Sequence, residues 1–288
     1  MSERPKPGAR QFADLATLTP ARVALGRSGA SLPTREVLRF GMAHAQARDA
    51  VHAPFHADDV AGRLAALGLE VIQVESAAGS REEYLRRPDL GRRLSPGSCQ
   101  ALTAKRGDFD LAIVAADGLS STAIHQNVVP FVAALLLLLA RLGLQLAPLV
   151  VGREARVALG DEIGTALGAR AVAVLIGERP GLSSPDSLGA YLTFAPQPGL
   201  TDANRNCISN IRPGGLAYEH AAFKLSWLIA EAFRRSLTGI GLKDESDLAL
   251  ATSAAGKRAI SGDPSPSGAV VSPEPQRTSD EFTGEGDL

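Results

Sequence analysis

The sequence has 288 residues, of which 45% are hydrophobic and 21% charged, and its formal net charge is −1. This composition fits a globular protein of one or two domains. It excludes the strong basic field of a nucleic-acid binder. Two cysteines, Cys99 and Cys207, are too few for a disulfide framework and suit a reducing cytoplasm.

Composition divides the chain into four parts. Residues 1–20 form a charged N-terminal arm without the apolar segment of a signal peptide. Residues 21–105 are a mixed, Arg-rich, helical region. Residues 106–250 alternate β-branched runs with longer helical stretches. Residues 251–288 are rich in Ser, Gly, Pro, Asp and Glu, and their low apolar content predicts a disordered tail.

In chain order, Thr34 is placed to cap a helix over 35–51, with Glu36 in its first turn. A short helix over 58–67 and a strand over 69–74 follow. His52 and His56 are four apart, but Pro54 interrupts the helix that would bring them together, so a metal site there is not favoured. The run DFDLAIVA over 108–115 has the form of a buried parallel strand. A helix is predicted over 127–142, with Pro130 in its first turn. Its apolar run, 128–140, is shorter than the roughly 20 residues of a membrane span and predicts a core helix. A strand over 146–151, a helix over 156–167 ending at Gly168 and a strand over 171–176 complete successive βαβ units. A further strand over 188–194 and a closing helix over 217–237 finish the ordered part. The fold class is therefore α/β: a Rossmann-like, mostly parallel sheet flanked by helices, after a helical arm.

In such sheets ligands bind beyond the carboxyl ends of the strands. Two loops occupy such ends: 117–123, which opens Asp-Gly-Leu-Ser-Ser, and 177–182, Gly-Glu-Arg-Pro-Gly-Leu. A simple turn explains either loop alone, whereas together they favour a crevice. The stretch 204–215 reads as a loop dense in Asn and Ser, which both donate and accept hydrogen bonds. Cys207 within it is equally readable as a small buried hydrophobe. The dinucleotide fingerprint, the Walker loop and the nucleophile elbow are all absent. Asp117, Ser120 and His125 are close in sequence, but a triad requires a geometry that proximity alone does not supply.

Several strings together resemble the ethanolamine ammonia-lyase small subunit. They are GRSG at 26–29, YLRRPDLGRRL at 84–94, DGLSS at 117–121, Gly152-Arg153 followed by Val157 and DEIG at 161–164, LIGERPGL at 175–182, and NCISNI at 206–211 with Gly214 and Gly215. Their order and spacing run from about residue 21 to 242. The resemblance implies a Rossmann-like domain over 106–250 that helps to bind adenosylcobalamin against a large catalytic subunit in a hetero-oligomer. The complex would convert ethanolamine to acetaldehyde and ammonia by a radical route. It further implies that Val157, Glu178 and Cys207 contact the cobalamin, and that this chain contributes neither a catalytic residue nor a metal ligand. No Asp-x-His-x-x-Gly string is present, which suits a base-on cofactor that keeps its own dimethylbenzimidazole on cobalt. The implied location is cytoplasmic, with or without enclosure in a bacterial microcompartment, and the implied partners include neither nucleic acid nor membrane. Two other readings stand beside this one: a self-contained Rossmann-type nucleotide-binding enzyme, and a regulatory interaction module without a cofactor.

Overall fold

Buried strands with alternating side chains organise the molecule. The computed structural model describes Leu18, Thr19 and residues 21–250. The expected disordered tail, and nearly all of the expected N-terminal arm, lie outside the described residues. Six strands form one sheet: β1 (Val71–Glu75), β2 (Phe109–Ala116), β3 (Leu149–Arg153), β4 (Ala169–Gly177), β5 (Leu188–Phe194) and β6 (Asn206–Ile211), in the order β1-β3-β2-β4-β5-β6. The first four pair in parallel. β5 and β6 add antiparallel strands at the far edge, so the sheet is mixed.

Period-two alternation feeds two cores. Leu111, Ile113 and Ala115 of β2, with Ala171, Ala173 and Leu175 of β4, point to one face. Ala112, Val114 and Ala116, with Val172, Val174 and Ile176, point to the other. The first face is covered by α2 (Ala57–Ala65), α5 (Ser121–Leu139) and α7 (Tyr218–Arg235). The second is covered by α4 (Pro96–Thr103) and α6 (Leu159–Leu167). Two further helices, α1 (Thr34–His52) and α3 (Arg81–Arg86), precede β2 in the chain.

Three expectations need correction. Thr34 does not cap α1: it is the first helical residue, Pro33 holds the cap position with φ −57°, and no side chain caps the end. Helix α5 begins six residues earlier than the apolar run suggested. Ser120 is extended, and its hydroxyl accepts the Ala123 N–H, so the start is fixed by capping rather than by apolar periodicity. Pro130 therefore lies inside the helix, not in its first turn. At 19 residues α5 is, among the described residues, the one helix long and apolar enough to cross a bilayer by length and composition. Its buried side chains, including Phe131, Val132 and Leu135, instead join the core beneath the sheet. Third, the stretch over 204–215 is not wholly a loop, because Asn206–Ile211 pairs with β5 as an edge strand.

Candidate functional site

Strand β2 is followed by a helix on one face of the sheet, and its neighbour β3 by a helix on the other. The chain therefore parts above their carboxyl ends, where an α/β sheet forms its crevice. A cleft of about 450 Å³ opens there, lined by residues that include Gly118 and Leu119 after β2, Arg156 and Val157 after β3, and Glu178 after β4. Tyr84 of α3 and Tyr191 of β5 close its sides.

The two loops singled out from sequence meet at this cleft. The Leu119 N–H donates to the Gly177 carbonyl at 2.9 Å. The approach depends on glycine from both sides. A Cβ on Gly118, whose φ is +56°, would lie 2.2 Å from the Gly177 carbonyl oxygen, and one on Gly177 would lie 2.1 Å from that of Ser120.

Beneath the cleft Asp117 acts as a hub. Its side chain is 1% exposed. Oδ1 accepts the Gly118 N–H at 2.9 Å and the Ala155 N–H at 3.0 Å, while Oδ2 accepts the Glu154 N–H at 3.0 Å. These bonds hold Glu154 in the left-handed region, φ 52°, where a non-glycine residue is strained. Arg81 adds a charged contact, its Nη1 lying 3.3 Å from Asp117 Oδ2 and 3.3 Å from Glu154 Oε2. The same guanidinium donates to the Gly118 carbonyl at 2.8 Å and, through Nε and Nη2, to the Val51 carbonyl at the end of α1. Burial, aided by the Glu154 carboxylate, pushes Asp117 up to about 7 against the pull of the Ala155 N–H and Arg81. Tyr84 lies fully buried within reach of Arg81 and Arg156, at 4.9 and 4.2 Å from ring centroid to guanidinium carbon. Its hydroxyl donates to the Ala155 carbonyl, and desolvation holds it protonated well above the ordinary tyrosine range.

The structure puts Val157 and Glu178 in the cleft wall. The Glu178 carboxylate accepts the Ser187 hydroxyl in a short bond and the Asn210 N–H at 3.3 Å, both on Oε2. Gly189 leaves room for the other oxygen, since a Cβ there would lie 2.8 Å from Oε1. Cys207 is one step removed: it sits opposite Tyr191 in the β5–β6 register, exposed, with Sγ 3.3 Å from Ser209 Oγ. It is not the buried hydrophobe that was one of its two sequence readings.

Other candidates do not assemble. Ser120 donates to the Pro185 carbonyl, and His125 Nε2 accepts the His56 N–H, so Asp117, Ser120 and His125 form no triad. The His56 and His125 rings stack at 5.4 Å, and no group of metal-binding side chains occurs among the described residues. Sequence reasoning missed Arg81, Tyr84, Glu154 and Arg156. Only Tyr84 carried a signal, as a lone aromatic in a polar string.

Chemically the cleft combines an apolar wall, a carboxylate acceptor and guanidinium donors. That donor set suits the edge of a large ligand bearing amides or other polar groups around an apolar body.

A family model described as the ethanolamine ammonia-lyase light chain (EutC) matches residues 9–243. A protein named ethanolamine ammonia-lyase small subunit from Rhodopseudomonas palustris is 57% identical over 252 residues, 87% of this chain and 97% of that protein. The protein of the same name from Bradyrhizobium diazoefficiens is 58% identical over 240 residues, 82% of this chain and 92% of its own. One from Pseudomonas fluorescens is 52% identical over 252 residues, covering 86% and 92%.

Proposed function

We propose that this chain, which belongs to the ethanolamine ammonia-lyase light-chain family, covers one edge of an adenosylcobalamin whose remaining surface is held by a large catalytic subunit. The observation that carries the reading is the cleft at the carboxyl ends of β2, β3 and β4, whose wall contains Val157 and Glu178. At about 450 Å³ it is too small to enclose a corrin with its side chains but large enough to seat part of its rim. That mismatch supports a site shared between two subunits.

When bound, adenosylcobalamin supplies the radical chemistry by which the complex would convert ethanolamine to acetaldehyde and ammonia in ethanolamine catabolism. This chain's residues bind, orient and exclude water. Val157 and Tyr191 present apolar surface, while Glu178 Oε1 offers an acceptor to an amide NH2. Cys207, beside Tyr191, extends the contact along the sheet edge. The exposed position of Cys207 suits a cytoplasmic, reducing setting.

The chain alone is expected to release no ammonia from ethanolamine, and activity should appear on adding the large subunit and adenosylcobalamin. A cobalamin spectrum that co-purifies only with both subunits would support the shared site. Turnover by the purified chain alone, or full cofactor binding by the large subunit without it, would sink the reading.

Glu178 gives a finer test. A charge-assisted hydrogen bond is worth about 1.5–3 kcal/mol. Glu178→Ala should therefore weaken cofactor binding by roughly tenfold to a hundredfold. Glu178→Gln should lose less, because its amide oxygen can take the Oε1 position and still accept from the cofactor, with its NH2 turned to the Ser187 hydroxyl, which can accept in its place. Titration of adenosylcobalamin into the reconstituted complexes, with thermal melts alongside, separates this role from a purely structural one, in which affinity stays constant and only the melt moves.

A further inference from the structure

Arg156 is fixed in the cleft wall, yet its side chain has donors without partners. Its backbone N–H donates to the Gly91 carbonyl at 2.8 Å. Its guanidinium lies 4.2 Å from the centroid of the buried Tyr84 ring. Gly91 permits that stack, since a Cβ there would fall 2.8 Å from the Tyr84 ring and 3.0 Å from Arg156 Cγ. The side chain makes one long hydrogen bond, from Nη2 to the Tyr84 carbonyl at 3.4 Å. Nε is shut off from solvent without a partner. Nη1 has no partner, and no carboxylate pairs with Arg156, among the described residues.

A guanidinium pinned on a ring has lost most of its rotamer freedom before any ligand arrives, so a bond to it costs little further ordering. Its planar fork binds oxygen acceptors and repels cations and donor-only groups. The same cleft wall carries the Glu178 carboxylate, whose chemistry is the reverse. The wall thus offers an anionic acceptor in Glu178 and cationic donors in Arg156 and Arg179, of which Arg156 is the one pinned against a ring.

We infer that Arg156 is a binding residue that anchors an oxygen acceptor on the ligand of this cleft. The inference rests on the cofactor reading above. On that reading the acceptor is either a peripheral amide carbonyl of the corrin or the phosphodiester of its nucleotide loop.

The test uses the reconstituted complex carrying Arg156→Met, which keeps the stem over Tyr84 but removes every donor. Adenosylcobalamin and cobinamide, which has the corrin amides but no phosphodiester, are titrated into it and into the wild type, with thermal melts as a control. Arg156→Met should bind adenosylcobalamin roughly tenfold to a hundredfold more weakly at a nearly unchanged melting temperature. A loss of the same size with cobinamide assigns the amide carbonyl, and a loss confined to adenosylcobalamin assigns the phosphodiester; either supports the anchor. Wild-type affinity of Arg156→Met for both ligands overturns it while leaving the cofactor reading intact. If that variant does not assemble, Arg156→Gln takes its place under the same criterion. A wild-type complex that binds neither ligand removes the cofactor reading and this inference together.

Discussion

Asp117→Ala is expected to destabilise the chain by about 3–5 kcal/mol, enough to lower its melting temperature by roughly 6–20 °C. The substitution strips the acceptor from the Gly118, Glu154 and Ala155 N–H groups and from one arm of Arg81. Each buried donor left without a partner costs about 1–3 kcal/mol, and nothing apolar of the same shape replaces the network. The strained Glu154 backbone then loses the two N–H bonds that hold it at φ 52°, so the segment presenting Arg156 and Val157 should loosen as well. A melt within a degree or two of wild type would show that the hub does not hold the cleft floor.

Asp117 also carries a pH signature. Its folded value of about 7 lies above the reference value of 3.8. Between those two pH values the folded chain binds a proton that the unfolded chain releases. The contribution to stability is therefore full below pH 3.8 and is lost as pH rises through 7. Asp117→Asn cannot take up that proton. Measured from pH 7 downwards, the melting temperature of the wild type should gain on that of the variant; two parallel curves would contradict the assignment. Glu154 and Arg81, the charged neighbours of this carboxylate, are unchanged in the comparison.

The parts of the fold that rest on local pattern were legible in the sequence. The runs ending at Ala116 and Gly177 have the short, uninterrupted apolar character of strands buried on both faces, and the glycine-bearing loops after them gave the crevice its place. Strand β6 was misread because it is an irregular edge. Its inward residues, Ile208 and Ile211, are three apart rather than two, across a register shift opposite Leu188 and Ala190, with Asn210 at φ 61°. That irregularity erases the alternation by which strands are recognised. The start of α5 was hidden for the opposite reason, since a Ser-rich first turn carries no apolar period and looks like a loop. The Asp117 hub was illegible in principle. Arg81 lies 36 residues before Asp117, and Glu154 lies 37 after it, so only the closed sheet brings them together.

The second large effect concerns the pair Asp161–Arg205, whose side chains are each 2% exposed and joined by a short bond. Arg205 directly precedes β6, and Asp161 lies in the first turn of α6, so the pair ties the strand carrying Cys207 to the helix that follows Val157. Compensation is incomplete: Asp161 Oδ1 and Arg205 Nε are buried without partners, and burial outweighs the attraction of Arg205 enough to push Asp161 up to about 6. Removing one partner should therefore be far worse than removing both. Asp161→Leu or Arg205→Met alone is expected to cost about 3–5 kcal/mol, because each leaves a desolvated charge unanswered. The double substitution should recover most of that loss and fall within about 1–2 kcal/mol of wild type, because two buried charges are exchanged for apolar volume. The carbonyls of Leu200 and Thr201, which now accept from Arg205, lie on a partly exposed loop where water can replace it. A double-mutant cycle by denaturant titration measures the coupling, and a double variant as unstable as the sum of the singles would refute it. If stability recovers while adenosylcobalamin affinity in the reconstituted complex does not, the pair serves to fix β6 against α6 rather than to hold the fold together.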